Sequence, residues 1–404
     1  MKILQVCPKF HHSVASGSTK VAYCISKELA RRGHLVTVYT SDMKDKYTRI
    51  NHGVEEKDGV RVHRFQSVGT IATREMKIFV TPTIIPSLKN EAYSFDVIHV
   101  HEYRSFQSVV HHYAKKHGVP YILQAHGSLP RSIGAWRKLK WIYDVLFGYR
   151  LLSDASKVIA LSRIEAERYR GMGVPEEKVA VIPNGIDLSE YVDLPPKGSF
   201  KKKFSIDEKE KIILYLGRIH RIKGIDILLK AFAAVIGKLG DVKLVVAGPD
   251  DGYLRELQAL TKALKIEDNV LIPGPLYSRS KLEAYVDADV YVLPSRYETF
   301  PMGLLEAYSC GKPVIASRVG GLKDLVIDKV TGLSVEPGGT KQLANSIRYL
   351  LNNDDKAEEM GLRGKQFVKK NFAIEKVVDR LARLYEGIID NKAHRTFRST
   401  TEVS

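Results

Sequence analysis

The sequence predicts an α/β protein made of two Rossmann-like domains facing each other across a cleft. Three observations carry this reading. Short apolar runs alternate with amphipathic stretches through the first half, the order of a βαβ sheet with helices on both faces. The same alternation starts afresh at Ile212. Between the two series lies a stretch rich in proline, glycine and charge, ending in Leu194-Pro-Pro-Lys-Gly-Ser-Phe-Lys-Lys-Lys203, as linkers are.

The first series predicts strands at Ile3–Val6, Leu35–Tyr39, Val60–Phe65, Val97–Val100, Tyr121–Leu123, Lys157–Ala160 and Val179–Ile182. Amphipathic helices are expected over Thr19–Arg32 and Phe106–His117. The second series predicts strands at Ile212–Leu216, Lys243–Ala247, Val270–Ile272, Val290–Leu293, Pro313–Ala316 and Leu333–Val335. The boundaries that follow are a first domain over 1–185, a linker over 186–204 and a second domain over 205–373. A C-terminal helix over 374–391 shows Val377, Leu381, Leu384 and Ile388 as an apolar stripe able to pack back on the first domain. The polar residues 392–404 read as a disordered tail.

At 404 residues the chain is long enough for two domains of ordinary size. No run of about 18 apolar residues suggests a membrane span. The start, Met-Lys-Ile-Leu-Gln-Val-Cys-Pro, reads as a first strand and not as a signal peptide. Three cysteines without C-x-x-C or zinc spacing suggest no disulfide framework, so a cytoplasmic location is expected. The net charge of +17 is spread over both halves. It implies anionic partners: phospholipid, phosphorylated substrates or nucleic acid. No zinc-finger spacing or RNA-recognition motif supports the last. The first turn also lacks the G-x-G-x-x-G of nicotinamide enzymes.

The chemistry concentrates in four places. Ser295-Arg-Tyr-Glu-Thr-Phe-Pro-Met-Gly-Leu-Leu-Glu306-Ala puts Glu298 on a loop at the carboxyl end of a strand and Glu306 about one turn into the next helix. Ligands of open α/β sheets bind in that crevice. Two carboxylates flanking a helix N-terminus suit a ligand rich in hydroxyls that carries phosphate. Gly217-Arg218-Ile-His-Arg-Ile-Lys223-Gly224 follows the first strand of the second series and places two cations on a loop entering a helix. A solvated basic loop is the bland alternative for that segment. Gly17, within Ser16-Gly17-Ser18-Thr19, opens the first helix and allows close backbone approach. His126, in Gln124-Ala-His126-Gly, ends the strand Tyr121–Leu123 and is able to bond sugar hydroxyls. Eleven of the 13 histidines precede residue 130, and no metal triad stands out among them. Solvated or capping roles are expected for most, including His99, His101, His111, His112 and His117.

The spacing E-x₇-E from Glu298 to Glu306, followed by Cys310-Gly-Lys-Pro-Val-Ile-Ala-Ser317, resembles retaining nucleotide-sugar glycosyltransferases of the group 1 (family 4) type, which have the GT-B fold. The resemblance covers nearly the whole chain, to about Asp390. It implies a hexosyltransferase-type enzyme that moves a sugar from a nucleotide-diphosphate sugar to an acceptor hydroxyl. The first domain would hold mainly the acceptor and the second the donor. By resemblance, Glu306 holds the ribose, Glu298 the hydroxyls of the transferred sugar, and Arg218 and Lys223 the diphosphate. His126 lies beside the sugar, and Gly17 stands where the family usually has two adjacent glycines. The chain reads Glu298-Thr-Phe-Pro301 where the family commonly reads Glu-Gly-Phe-Gly. Pro301 supplies no N–H, which leaves the amides of Met302, Gly303 and Leu304. No Asp-x-Asp motif lies near, so no metal cofactor is expected, and retention is expected by front-face attack. A nucleotide-sugar epimerase of the same fold is the alternative, and a basic nucleic-acid-binding protein a weaker one.

Arg131 to Leu152 holds both tryptophans, Trp136 and Trp141, among Arg137, Lys138 and Lys140. Ile133, Trp136, Tyr143 and Phe147 could share one helical stripe. Two readings are open: a stripe packed inside the first domain, or a peripheral contact with an anionic membrane at its inner face. Family members often glycosylate lipid-linked acceptors, which implies a role in cell-surface polysaccharide or lipid-linked glycan synthesis.

Overall fold

The computed structural model describes residues 1–10, 17–44, 48–68, 81–106, 108–130 and 137–401. The chain forms two compact units. Unit 1 comprises Met1–Gly185 and Ile374–Ser404, and unit 2 comprises Ile186–Ala373.

Unit 1 is built on a sheet of β1 (Lys2–Val6), β2 (Leu35–Ser41), β3 (Gly53–Lys57), β4 (Val60–Phe65), β5 (Val97–His101), β6 (Tyr121–Gln124), β7 (Lys157–Ala160) and β8 (Val179–Val181). Their spatial order is β3-β4-β2-β1-β5-β6-β7-β8. All neighbours run parallel except β3, which pairs antiparallel with β4. Parallel strands are covered on both faces and read as unbroken apolar runs, which is why they were predictable. The edge strand β3, Gly-Val-Glu-Glu-Lys, is wholly exposed and was not predicted. Its charges suit an edge but give no apolar signal.

The C-terminal helix, Ile374–Thr401, belongs to unit 1 and buries Val377, Val378, Leu381, Tyr385 and Ile388. Arg32, just past the helix Gly17–Arg31, fastens to it through Asp379 at 2.5 Å and the Glu375 carbonyl at 2.7 Å. The backbone is helical to Thr401, where the sequence reading had a disordered tail from 392. No proline or glycine interrupts 392–401, and extending an existing helix adds one hydrogen bond per residue fixed.

Unit 2 has six parallel strands: β9 (Lys211–Leu216), β10 (Val242–Ala247), β11 (Val270–Gly274), β12 (Val290–Leu293), β13 (Val314–Ser317) and β14 (Gly332–Val335). They lie in the order β11-β10-β9-β12-β13-β14. The expected linker, 186–204, is part of this unit. Tyr191 and Phe200 are buried, and the Asp287 carboxylate accepts from the N–H groups of Gly198, Phe200 and Lys201 at 2.6 to 2.9 Å. Its proline and glycine content marks turns within a folded segment and not a free connection.

Each sheet has one point where strand order reverses, between β1 and β5 in unit 1 and between β9 and β12 in unit 2. Loops leaving the carboxyl ends of those strands diverge and open a crevice. All the predicted site residues except His126, which follows β6, lie on loops leaving those strands or on the helices that these loops open.

Candidate active site

In unit 2 the loops leaving β9 and β12 are laced together. Arg296 N–H donates to the Ile222 carbonyl at 2.8 Å. Its guanidinium grips the Asp226 carboxylate with two bonds, 2.8 and 2.7 Å, a planar fork on a planar partner. Gly224 sits between the loops at φ +68°, and a Cβ there would lie 2.1 Å from the Pro294 carbonyl oxygen. Only glycine permits that approach.

This lacing brings Lys223 to Glu298. Lys223 Nζ donates to Glu298 Oε1 at 2.5 Å, and Ser295 Oγ donates to the same oxygen at 2.9 Å. Glu298 is only 7% exposed. Its backbone is pinned from the loop after β13. Gly321 N–H donates to the Glu298 carbonyl at 3.2 Å, and a Cβ on Gly320, at φ +50°, would lie 1.7 Å from that oxygen. The sequence reading did not include Gly320.

Glu306 lies inside the helix Met302–Ser309 and is 6% exposed. Lys281 Nζ donates to its Oε1 at 2.7 Å and Tyr285 O–H to its Oε2 at 3.2 Å. These partners stand one turn apart on the helix Ser278–Asp287. Burial and the neighbouring Glu306 push the Tyr285 phenol well up, so it stays a donor. Lys281 was not foreseen. Two buried carboxylates are thus each held by a lysine, at the strand ends that flank the reversal of sheet order.

The helix that carries Glu306 starts just after Pro301. Of the three amides expected to serve a ligand, that of Leu304 is engaged by the Pro301 carbonyl at 3.3 Å. Met302 and Gly303 stand ahead of it at the end of the helix where N–H groups lack intrahelical acceptors. Gly303 is glycine for a packing reason: a Cβ would lie 2.7 Å from the Tyr291 hydroxyl. Arg218 is half-exposed and pairs with Asp251, on the loop after β10, and not with either glutamate.

In unit 1, Gly17 is the exposed first residue of the helix Gly17–Arg31, and Ser18 Oγ donates to Glu102 at 2.9 Å. Ser16 lies outside the described residues, as does 131–136, which includes Trp136. His126 adopts φ +50°, an uncommon value for a residue with a Cβ. Its neighbours hold it there. Ala125 N–H donates to the Tyr169 hydroxyl at 3.0 Å, and Gly127 N–H to Glu165 at 2.7 Å. His126 Nε2 meets His101 Nδ1 at 2.8 Å, and His101 Nε2 meets Gln5 Oε1 at 2.7 Å. Gln5 Nε2 donates to the Tyr385 hydroxyl at 3.4 Å, and that hydroxyl meets His99 Nδ1 at 2.7 Å. Solvated or capping roles therefore fail for His99 and His101, which are fully buried. Period-two spacing puts them on one face of β5, their rings stacked 4.2 Å apart, and this signal was available in the sequence. Burial pushes His99 and His126 down to about 3, and His101 well down.

The segment Arg137–Tyr143 is helical, continues through a π-helical turn at Asp144–Gly148 and ends as the helix Tyr149–Ser153. Asp144 faces inward and is gripped by Arg104 with two bonds of 2.8 Å. Gly148 also faces inward, and a Cβ there would lie 2.1 Å from the Tyr103 hydroxyl. Leu139, Trp141, Ile142, Val145, Leu146 and Phe147 are exposed, the last two by 57% and 53%. Of the expected stripe, Tyr143 is half-buried, its hydroxyl donating to the Tyr103 and Ser105 carbonyls at 3.2 and 3.3 Å, whereas Phe147 is exposed. Among the described residues no helix is long and apolar enough to cross a membrane. None of the described His, Cys, Asp and Glu side chains form a group of three placed to hold a metal ion.

Two family models match the chain: "Glycosyltransferase Family 4" over residues 15–190 and "Glycosyl transferases group 1" over residues 196–367. The chain is 26% identical over 376 residues to N-acetyl-alpha-D-glucosaminyl L-malate synthase of Bacillus anthracis, covering 92% of this chain and 94% of that one. Sucrose-phosphate synthase from Thermosynechococcus elongatus superimposes with a TM-score of 0.79 at 24% identity, covering 96% of this chain and 99% of that one. The Anabaena protein HepE, in complex with UDP-glucose, superimposes with a TM-score of 0.77 at 20% identity, covering 96% of this chain and 100% of that one.

Proposed function

Because this chain belongs to the group 1 glycosyltransferases and has their GT-B fold, we propose that it is a retaining enzyme of lipid-linked glycan or polysaccharide synthesis that draws on a nucleotide-diphosphate sugar. The observation that carries the site assignment is the pair of buried, lysine-held carboxylates at the strand ends of unit 2. A buried carboxylate that already accepts from an ammonium is a strong acceptor for hydroxyls as well. Glu306 takes the ribose hydroxyls and Glu298 those of the transferred sugar. Lys223, Arg218 and the amides of Met302 and Gly303 take the diphosphate, whose negative charge grows as its bond to the sugar breaks. In unit 1, Gly17 gives the donor a close backbone approach, and His126 serves the hydroxyls of the sugar. UDP is the first base to try, since the similar HepE was solved with UDP-glucose.

Retention follows from front-face attack. The acceptor oxygen bonds to the anomeric carbon on the face the phosphate leaves, the carbon–phosphate-oxygen bond breaks, and the acceptor proton passes to the departing phosphate oxygen. A double displacement needs a carboxylate given over to the anomeric carbon, whereas in this reading both glutamates are committed to binding hydroxyls. No metal takes part in this scheme, and the lysines, Arg218 and the helix end supply the positive charge.

The acceptor is lipid-linked in this reading, and the exposed apolar face of 137–149 rests on an anionic membrane. The support is chemical complementarity. Trp141, Leu146 and Phe147 lie exposed beside Arg137, Lys138 and Arg150 on a chain of net charge +17.

Calorimetric titration with UDP, GDP, ADP and dTDP tests the donor site. One nucleotide should bind well above the others. Glu306→Ala, folded by circular dichroism, should weaken that binding by about 1.5–3 kcal/mol, the worth of hydrogen bonds to a charged group. Unchanged affinity in the variant sinks the assignment.

A further inference from the structure

The relay behind His126 has a direction that can be read from its ends. An amide nitrogen only donates. Gln5 Nε2 meets the Tyr385 hydroxyl, so that oxygen accepts there and gives its single proton to His99 Nδ1. Gln5 then turns its carbonyl oxygen to His101, whose Nε2 must carry a proton to bond it. A neutral imidazole has one N–H, so His101 Nδ1 is bare and accepts from His126 Nε2. His126 Nδ1 is left without a proton. That atom is buried and has no partner among the described residues.

We propose that Gln5, His101 and Tyr385 are positioning residues that fix His126 as the Nε2–H tautomer, so that its Nδ1 is an obligate acceptor for a substrate hydroxyl. The functional part rests on the assignment of His126 to the sugar; the tautomer does not. In this arrangement His126 gives no proton to the substrate. Glu165 and Tyr169 complete the mounting by holding the amides on either side of the ring in the left-handed turn. The C-terminal helix thus reaches the site through one hydroxyl, that of Tyr385, without touching the substrate.

Long-range proton–nitrogen NMR spectra of the full chain labelled with nitrogen-15 in histidine provide the test. His126 is assigned by the signal lost in His126→Gln. At neutral pH its Nε2 should carry the proton and its Nδ1 none. Tyr385→Phe removes only the hydroxyl that orients Gln5, so the amide is free to turn over. A second population with protonated Nδ1 should appear in this variant. Gln5→Leu should do the same where it folds, and Tyr385→Phe stands alone where it does not. Turnover gives the second readout. Tyr385→Phe should lower kcat/KM for the sugar donor about tenfold, one hydrogen bond's worth, while affinity for the free nucleotide is unchanged. A protonated Nδ1 in the wild type, or the same single tautomer in both variants, overturns the proposal. If the tautomer is as stated but His126→Ala turns over normally, the assignment of His126 to the sugar fails instead.

Discussion

Lys281 shows what single residues contribute here and how little of it is local in sequence. Glu298, Glu306 and Lys223 were legible because each lies within a short motif whose spacing sets its place on a loop or helix. Lys281 bonds Glu306 from another helix, 25 positions away, and only the packing of two helices reveals it. Both side chains are largely buried, at 16% and 8% exposure. Removing one partner strands the other, at a cost of about 3 kcal/mol. Urea unfolding of Lys281→Met should show a loss of that size, and adding Glu306→Gln should recover most of it. Simple additivity of the two changes would mean they do not interact. The buried histidines make a second prediction. Unfolded, His99 titrates near 6.5, and folded it is pushed down to about 3. His101 is shifted the same way by burial. Between those values the unfolded chain binds more protons, so stability is full above about pH 6.5 and falls as pH drops toward 3. The slope should be about 1.4 kcal/mol per pH unit for each such proton. His99→Asn and His101→Asn, measured by urea midpoints from pH 7 to pH 4.5, should each flatten that slope.

At the scale of elements, the parallel strands were readable and the irregular pieces were not. A buried strand announces itself through a run such as Ile-Ile-Leu-Tyr-Leu in β9. The charged edge strand β3 carries no such run. The π-helical turn at Asp144–Gly148 carries no sequence signal that periodicity can detect, since it breaks the phase that periodicity assumes. Tyr143 and Phe147 fit one 3.6-residue stripe on paper, yet Phe147 is exposed while Asp144 and Gly148 face inward. The turn after β13 is equally silent, because a glycine pair says nothing of what it must pass. Gly320→Ala should disturb this turn twice, through its left-handed φ and through the collision with the Glu298 carbonyl. Strained backbone costs about 1–3 kcal/mol. The expected outcome is a lower melting temperature together with a loss of turnover greater than that of Gly338→Ala. Gly338→Ala also has positive φ, but open space surrounds it. Equal losses in the two would remove Gly320 from the support of Glu298.

For the whole molecule, charge and an exposed apolar face act together. Basic residues near an anionic surface contribute about 1 kcal/mol each, and salt weakens them. Sedimentation with phosphatidylglycerol vesicles should therefore show binding at low salt that declines as salt rises. Leu146→Ser with Phe147→Ser should weaken it at every salt concentration. Arg137→Gln with Lys138→Gln should reduce the salt dependence. A wild-type protein that ignores such vesicles leaves the acceptor without a reason to be lipid-linked. The division of the chain was half legible: two series of strands were plain, but not that the segment between them is folded into unit 2. The route of the chain has a further consequence. The polypeptide leaves unit 1 after Gly185 and re-enters it at Ile374, and a Cβ on Gly185 would lie 3.0 Å from the Ile374 Cα. Ile186 and Ala373 pair as a bridge at the same place, so unit 2 begins and ends side by side. On the ribosome, unit 2 is complete while the last helix is still being made. Unit 1, although begun first, must wait with Gln5 and His99 lacking Tyr385 until the helix from Ile374 onward has been made. The N-terminal half is thus the last to mature, and truncation or stalled synthesis within that helix will spare the fold of unit 2 and leave unit 1 unfinished.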